Sequence, residues 1–149
     1  MDDRHDRPLA PAIPDAVRAV VAAHARAALP HECCGYLTGP RDPAAAVDTA
    51  VACTNLAADP RQAYEIGGAE LLALVRGLAG PSPARVIYHS HPNGRAYFSA
   101  RDAAIAATPR GPIYDVAHLV LGVTAAGVTE SALFAWSPAL CAYVEVARW

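Results

Sequence analysis

Apolar positions along this chain recur at two periods, and the switches between them predict its elements. From Pro14 the stretch PDAVRAVVAAHARAAL sets Val17, Val20, Val21, His24 and Ala28 on one stripe at helical spacing. Pro14 suits a first-turn position and Pro30 ends the run, so a helix is expected between them. The segment ECCGYLTG is short and apolar and closes on Gly39-Pro40, which predicts a strand running into the loop PRDPAAA. Residues 47–53, VDTAVAC, alternate like a second strand, TNLAADPRQ reads as a loop, and AYEI as a further short strand. Gly67-Gly68 then break the chain before a second helix over AELLALVRGLAG, ended by Gly80-Pro81. Residues 85–91 form another apolar strand, SARDAAIAA a third helix, and TPRGPIYD a turn-rich connection. Strands HLVLGVT, SALFAWS and CAYVEVARW close the chain.

Strands interleaved with three helices predict a layered α/β (α+β) domain, and the closing run of strands makes its sheet mixed and largely antiparallel, flanked by helices. Residues 1–12 carry Asp, Arg and Pro without periodicity and are expected to form a flexible tail, leaving residues 13–149 as one domain. A chain of 149 residues can bury about two-thirds of its unfolded surface, enough to fold without disulfide staples.

Composition narrows the function. Apolar residues make up 54% of the chain and charged ones 17%, the balance of a globular rather than a disordered protein. The net charge is −2, with no Lys/Arg cluster of the kind that nucleic acid or an anionic membrane requires. The N-terminal stretch has no apolar signal core and no window approaches a membrane span, so the cytoplasm is the expected compartment. Cys33, Cys34, Cys53 and Cys141 form neither a CxxC motif nor a paired framework, and reduced, mostly buried thiols are expected.

The chemistry is concentrated in VIYHSHPNGRAYFSARD, residues 86–102. Alternate side chains of a strand share a face, so His89 and His91 point the same way and Ser90 the other. Ser99 opens the next helix with Asp102 three residues on, the spacing of a capping box. Two neutral imidazoles and one carboxylate are also a ligand set for zinc that leaves a fourth tetrahedral position open, as in catalytic sites. Such a site still needs a general base. Glu32 is the first candidate, since it heads an apolar strand where a charge is out of place unless it faces something at the rim; Glu65 and Glu70 are rivals.

Together these residues resemble the JAMM, or MPN-plus, Mov34-like metalloprotease family. Its pattern is an upstream Glu, then His-x-His, seven residues, Ser, two residues and Asp, matched here by His89, His91, Ser99 and Asp102 without a gap. Glu32-Cys33-Cys34-Gly35-Tyr36-Leu37-Thr38-Gly39 looks like the family's first active-site strand, TNLAADPRQAYEI like the Asn-containing segment after it, and the likeness extends over residues 14–149. It implies a cytidine-deaminase-like JAMM/MPN fold, one zinc ion per chain on His89, His91 and Asp102, Glu32 as the base, Ser99 stabilising the oxyanion, and a homodimer as an assembly known in the family. The implied activity is a zinc metallopeptidase. With little room for insertions, the chain is similar to the compact prokaryotic branch, whose substrates are ubiquitin-like sulfur-carrier proteins cut after a C-terminal Gly-Gly. The segment HPNG departs from the commonest members and is similar to a neighbouring branch tied to bacterial DNA repair. The alternative is a catalytically inactive MPN scaffold that binds partner proteins. Cytidine-deaminase and zincin chemistry are disfavoured, since neither PCxxC nor HExxH is present.

Overall fold

The computed structural model describes residues 7–149; residues 1–6 of the expected tail lie outside the described residues. The elements run α1 (Asp15–Ala28), β1 (Cys34–Thr38), β2 (Thr49–Cys53), α2 (Gly68–Gly77), β3 (Ala84–His91), α3 (Ala100–Ala106), β4 (Ala107–Thr108), β5 (Gly111–Pro112), β6 (Ala117–Thr124), β7 (Gly127–Ser137) and β8 (Ala142–Arg148). Six strands make one sheet in the order β2-β1-β3-β6-β7-β8, and β4 and β5 pair separately as a short ribbon. Neighbours in the large sheet are antiparallel except β3 and β6, which run parallel. The sheet is therefore mixed and largely antiparallel, as the order of apolar segments predicts.

A parallel pair needs a crossover, and here the crossover leaves the end of β3 at His91, passes through α3 and returns to β6 at Ala117. That geometry matters for chemistry, because ligands in open α/β sheets gather beyond the carboxyl ends of parallel strands.

The sheet is covered on both faces. On one side α1 buries Val17, Val21 and Ala25 against Leu37, Val86, Tyr88, Leu119, Leu121 and Leu133. Each Val or Leu so buried contributes about 1.5–3 kcal/mol. Val20, expected on the same stripe, is 56% exposed, since the buried positions of this helix repeat at intervals of four and leave Val20 on the flank. Ala10 packs against this core, and the Ala12 carbonyl accepts from the Val47 amide at 3.1 Å. On the other side Leu74 of α2 packs with Cys34, Tyr36, Cys53, Tyr64 and Ile87. Strand β3 is thus buried on both faces, which is why its apolar run shows no alternation with polar residues before the histidines.

Two glycines permit close approaches that a side chain would block. At Gly35 an added Cβ would stand 2.5 Å from the Tyr88 ring, and at Gly122 it would meet the backbone of Gly94 and Arg95. The second lets the loop after β3 lie directly on β6.

One expected element is different. AYEI is not a strand; residues 63–66 belong to no helix or ladder. The chain between β2 and α2 turns back on itself, with the Leu56 amide donating to the Glu65 carbonyl at 2.9 Å. The Asn55 side chain takes up three more of its backbone groups, the Ala57 and Glu65 amides and the Ala63 carbonyl, which local propensity cannot foresee.

Candidate metal centre

The two histidines leave β3 on the α2/α3 side of the sheet, and the alternation that sends them there sends Ser90 the other way. Ser90 ties β3 to the approach of β1: its Oγ accepts from the Cys33 amide at 2.8 Å, and its amide donates to the Cys33 carbonyl at 3.2 Å. Cys34, the register partner of both His89 and Cys53, is fully buried. Burial pushes its thiol up to about 12, so it is a packed thiol rather than a thiolate ligand.

His89 is completely buried and His91 is 5% exposed. Their Nε2 atoms lie 3.3 Å apart, and the Oδ2 of Asp102 stands 3.1 Å from the first and 3.2 Å from the second. Asp102 is delivered by α3, whose first turn is a capping box: Ser99 Oγ accepts from the Asp102 amide and Asp102 Oδ2 accepts from the Ser99 amide, each at 3.0 Å. Burial pushes the Asp102 carboxyl up, but the Ser99 amide and the His89 and His91 rings, when these carry a proton on Nε2, outweigh it and hold it well below the usual carboxylate range.

Orientation of the His91 imidazole is fixed from behind. His91 Nδ1 meets the Arg95 carbonyl at 3.1 Å; a carbonyl only accepts, so Nδ1 carries the proton and Nε2 presents a lone pair. Arg95 belongs to a loop held by its neighbours, with the Ala96 amide donating to Glu130 at 2.8 Å and Arg148 donating to the Ala96 carbonyl at 2.8 Å. His89 is held by stacking, its ring 4.4 Å from that of Tyr64 at an interplanar angle of 21°. Tyr97 leans on the outer side of His91, centroids 4.5 Å apart, and is 45% exposed.

Glu32 completes the cluster. It lies two residues ahead of β1 and is 4% exposed. Its carboxylate and the two imidazoles offer ligand atoms all within 4.8 Å of one another. Its Oε1 is buried without a hydrogen-bond partner. Burial pushes the carboxyl up to about 7, with the Asp102 charge adding to the rise and His91 and Arg101 opposing it. Glu65 and Glu70 do not join the group: Glu65 is exposed, and Glu70 accepts from the Thr54 amide at 2.9 Å on the surface.

The donor set fits a metal ion. His89 Nε2, His91 Nε2 and Asp102 Oδ2 stand 3.1–3.3 Å apart, and ligands held about 2.0–2.1 Å from a tetrahedral ion stand about 3.3 Å from one another. A fourth, unpartnered carboxylate oxygen beside that set is a group waiting for a proton or a ligand.

Beside the cluster, behind Tyr64 and α3, opens a cavity of about 610 Å³ lined mainly by apolar side chains, among them Leu71, Leu74, Ile105 and Ile113. His118 of β6 forms part of its wall, packed against Phe98 and Tyr143 with Nδ1 unpartnered. Nothing in the sequence marks Tyr64 or His118, since each sits in an otherwise apolar or irregular segment and gains its place only through tertiary packing.

Burial lowers the His118 imidazole to about 3, so folding disfavours its protonation. Between about pH 6.5, the unfolded value, and pH 3 the unfolded chain holds more protons, so this contribution is complete above pH 6.5 and is lost as the pH falls. Glu32, shifted upward, works in the opposite sense. The difference between wild type and His118→Phe therefore isolates the imidazole. In urea unfolding from pH 7 to 4 the wild type is expected to lose up to about 1.4 kcal/mol per pH unit more than the variant; parallel curves would show that His118 titrates alike in both states.

The chain belongs to the family described as prokaryotic homologs of the JAB domain, whose model matches residues 14–137. A curated relative, the desampylase of Haloferax volcanii, is 37% identical over 86 residues, covering 57% of this chain and 60% of that protein. The chain thus matches about three-fifths of that relative's length. The solution structure of a protein from Desulfitobacterium hafniense is similar with a TM-score of 0.63 and 26% identity, over 90% of this chain and 88% of the other. A solution structure from Salinibacter ruber shares the fold at the same TM-score with 20% identity, over 91% and 88% of the two chains.

Proposed function

We propose that this protein is a JAMM-type zinc peptidase that cuts the peptide or isopeptide bond after the C-terminal Gly-Gly of a small ubiquitin-like or sulfur-carrier protein. The observation that carries this is the convergence of His89, His91 and Asp102 within 3.1–3.3 Å, with the unpartnered carboxylate of Glu32 beside them. In this proposal His89, His91 and Asp102 hold one zinc ion per chain. Asp102 is the third ligand rather than Glu32 because its Oδ2 touches both imidazoles while the Glu32 carboxylate stands farther off. Zinc, when bound, supplies a Lewis acid that polarises the scissile carbonyl and makes water a nucleophile at neutral pH.

The protein's own groups do the rest. Glu32 Oε1, with no competing hydrogen bond, takes the proton of the attacking water and passes it to the leaving amine; a carboxyl poised near neutrality suits both transfers. Ser99 Oγ accepts from the Asp102 amide, so its own proton is free to donate to the developing oxyanion. The apolar cavity beside the centre and the desampylase among the relatives support a folded, ubiquitin-like modifier as substrate. Its tail would enter extended, with two glycines where side chains would collide with the walls.

The test is cleavage of two matched conjugates of a ubiquitin-like protein, ending in Gly-Gly or Ala-Ala before a fluorescent amine. Preferential release from Gly-Gly, abolished by a chelator and restored by zinc, is the expected outcome. Equal cleavage of both would overturn the tail specificity, and a folded protein that binds no zinc would overturn the enzyme in favour of a scaffold.

A further inference from the structure

The loop between β2 and α2 is irregular, yet it touches both halves of the candidate centre. The Glu32 amide donates to the Pro60 carbonyl at 2.7 Å, and the Glu32 carbonyl accepts from Asn55 Nδ2 at 3.0 Å. Both main-chain polar groups of Glu32 therefore end on this loop. The same loop carries Tyr64, whose ring lies flat on His89. No ladder holds it in shape; the backbone between residues 54 and 67 belongs to no helix or strand.

Asn55 takes the place of a ladder. Its Nδ2 donates to the Glu32 and Ala63 carbonyls at 3.0 and 2.9 Å, and its Oδ1 accepts from the Ala57 and Glu65 amides at 3.0 and 3.1 Å. Two donations and two acceptances exhaust an amide side chain. One half-buried residue thus joins the Glu32 backbone to both ends of the segment that presents Tyr64. We infer that Asn55 is a positioning residue, setting the Glu32 carboxylate and the His89 ring at their working separation through the loop it closes. This rests on the proposed role of Glu32 as the base.

The chemistry makes the inference specific. Aspartate has the same shape, keeps the two acceptances and turns both donations into oxygen–oxygen repulsion against the Glu32 and Ala63 carbonyls. A displacement of about 1 Å in a reacting group costs up to about 10²-fold in rate. Asn55→Asp is therefore expected to lower kcat by about 10- to 100-fold with KM held within about twofold, while zinc content stays that of wild type, because the His89 backbone stays anchored in β3 between β1 and β6 and His91 and Asp102 keep their own hydrogen bonds. Asn55→Ser, which retains a short donor, should recover part of the loss.

The measurement is kcat and KM on the Gly-Gly conjugate with zinc content, alongside hydrogen–deuterium exchange. In Asn55→Asp the amides of Glu32 and of residues 57–65 should exchange faster while those of β3 and β6 are unchanged. Unaltered kcat with Glu32→Gln inactive would overturn the inference and leave the function standing. A uniform rise of exchange across the sheet, or a fall in kcat matched by loss of zinc, would also overturn it, since both mark a merely structural residue. Full activity in Glu32→Gln would instead remove the base on which the inference rests. Should wild type leave the conjugate uncut, the exchange data decide: no local change at Glu32 overturns it.

Discussion

Replacing Glu32 by Gln is expected to lower kcat/KM by about 10²–10⁴-fold while the protein folds, keeps its zinc and becomes no less stable. Glutamine has nearly the same volume and fits the same 4%-exposed position, but it cannot accept and return a proton. The stability half follows from the same burial. The carboxyl is pushed up to about 7, so above that pH the folded protein holds a buried charge that the unfolded chain would leave in water. A raised carboxyl contributes stability that is complete below its unfolded value and is lost as the pH climbs through the folded one. The neutral amide carries no such penalty, so at pH 8 the variant's melting temperature should equal or exceed that of wild type. Lost activity with retained stability is what a catalytic group held at a cost to the fold predicts. Wild-type rates in Glu32→Gln would exclude it as the base; lost zinc would make it a ligand instead.

Removal of a ligand should have a comparable effect on rate and an opposite one on stability. His89→Ala and Asp102→Asn are each expected to lose zinc, measured by elemental analysis, and with it activity on the Gly-Gly conjugate. A ligand that binds only the folded state at a hundred times its dissociation constant stabilises by about 2.7 kcal/mol. A chelator should therefore lower the melting temperature of wild type and leave that of both variants unmoved. Ser99→Ala separates the roles in the capping box. It removes a cap hydrogen bond worth about 1 kcal/mol but no ligand, so zinc should stay while kcat falls. If His89→Ala and Asp102→Asn retain a full equivalent of zinc, the metal lies elsewhere and the cluster is a helix cap beside two histidines.

Much of this site is visible in local pattern. Period-two alternation over residues 85–91 puts His89 and His91 on one face because a pleated strand leaves no other option, and the Ser99–Asp102 spacing sets a capping box because a helix start exposes its amides at that interval. The apolar runs mark α1, β1, β3 and the closing strands for the same local reason. A short apolar segment such as AYEI, by contrast, carries no local signal that separates a strand from a loop pinned by a distant side chain, and there the Asn55 side chain holds a loop.

The chain's own order of residues thus determined which groups could serve: two imidazoles in step, a carboxylate at a helix start, a glutamate ahead of an apolar strand. Tertiary structure decided that they meet. The parallel pairing of β3 with β6 sends the chain through α3 and brings Asp102 within 3.2 Å of both imidazoles, eleven residues beyond the nearer one. The loop from β2 to α2 covers Glu32 and lays Tyr64 on His89, and that burial, which depends on solvent being excluded by residues far apart in sequence, shifts the carboxyl toward neutrality. Periodicity is a property of neighbours along the backbone, whereas proximity across a sheet and the dielectric around a charge belong to the packed whole.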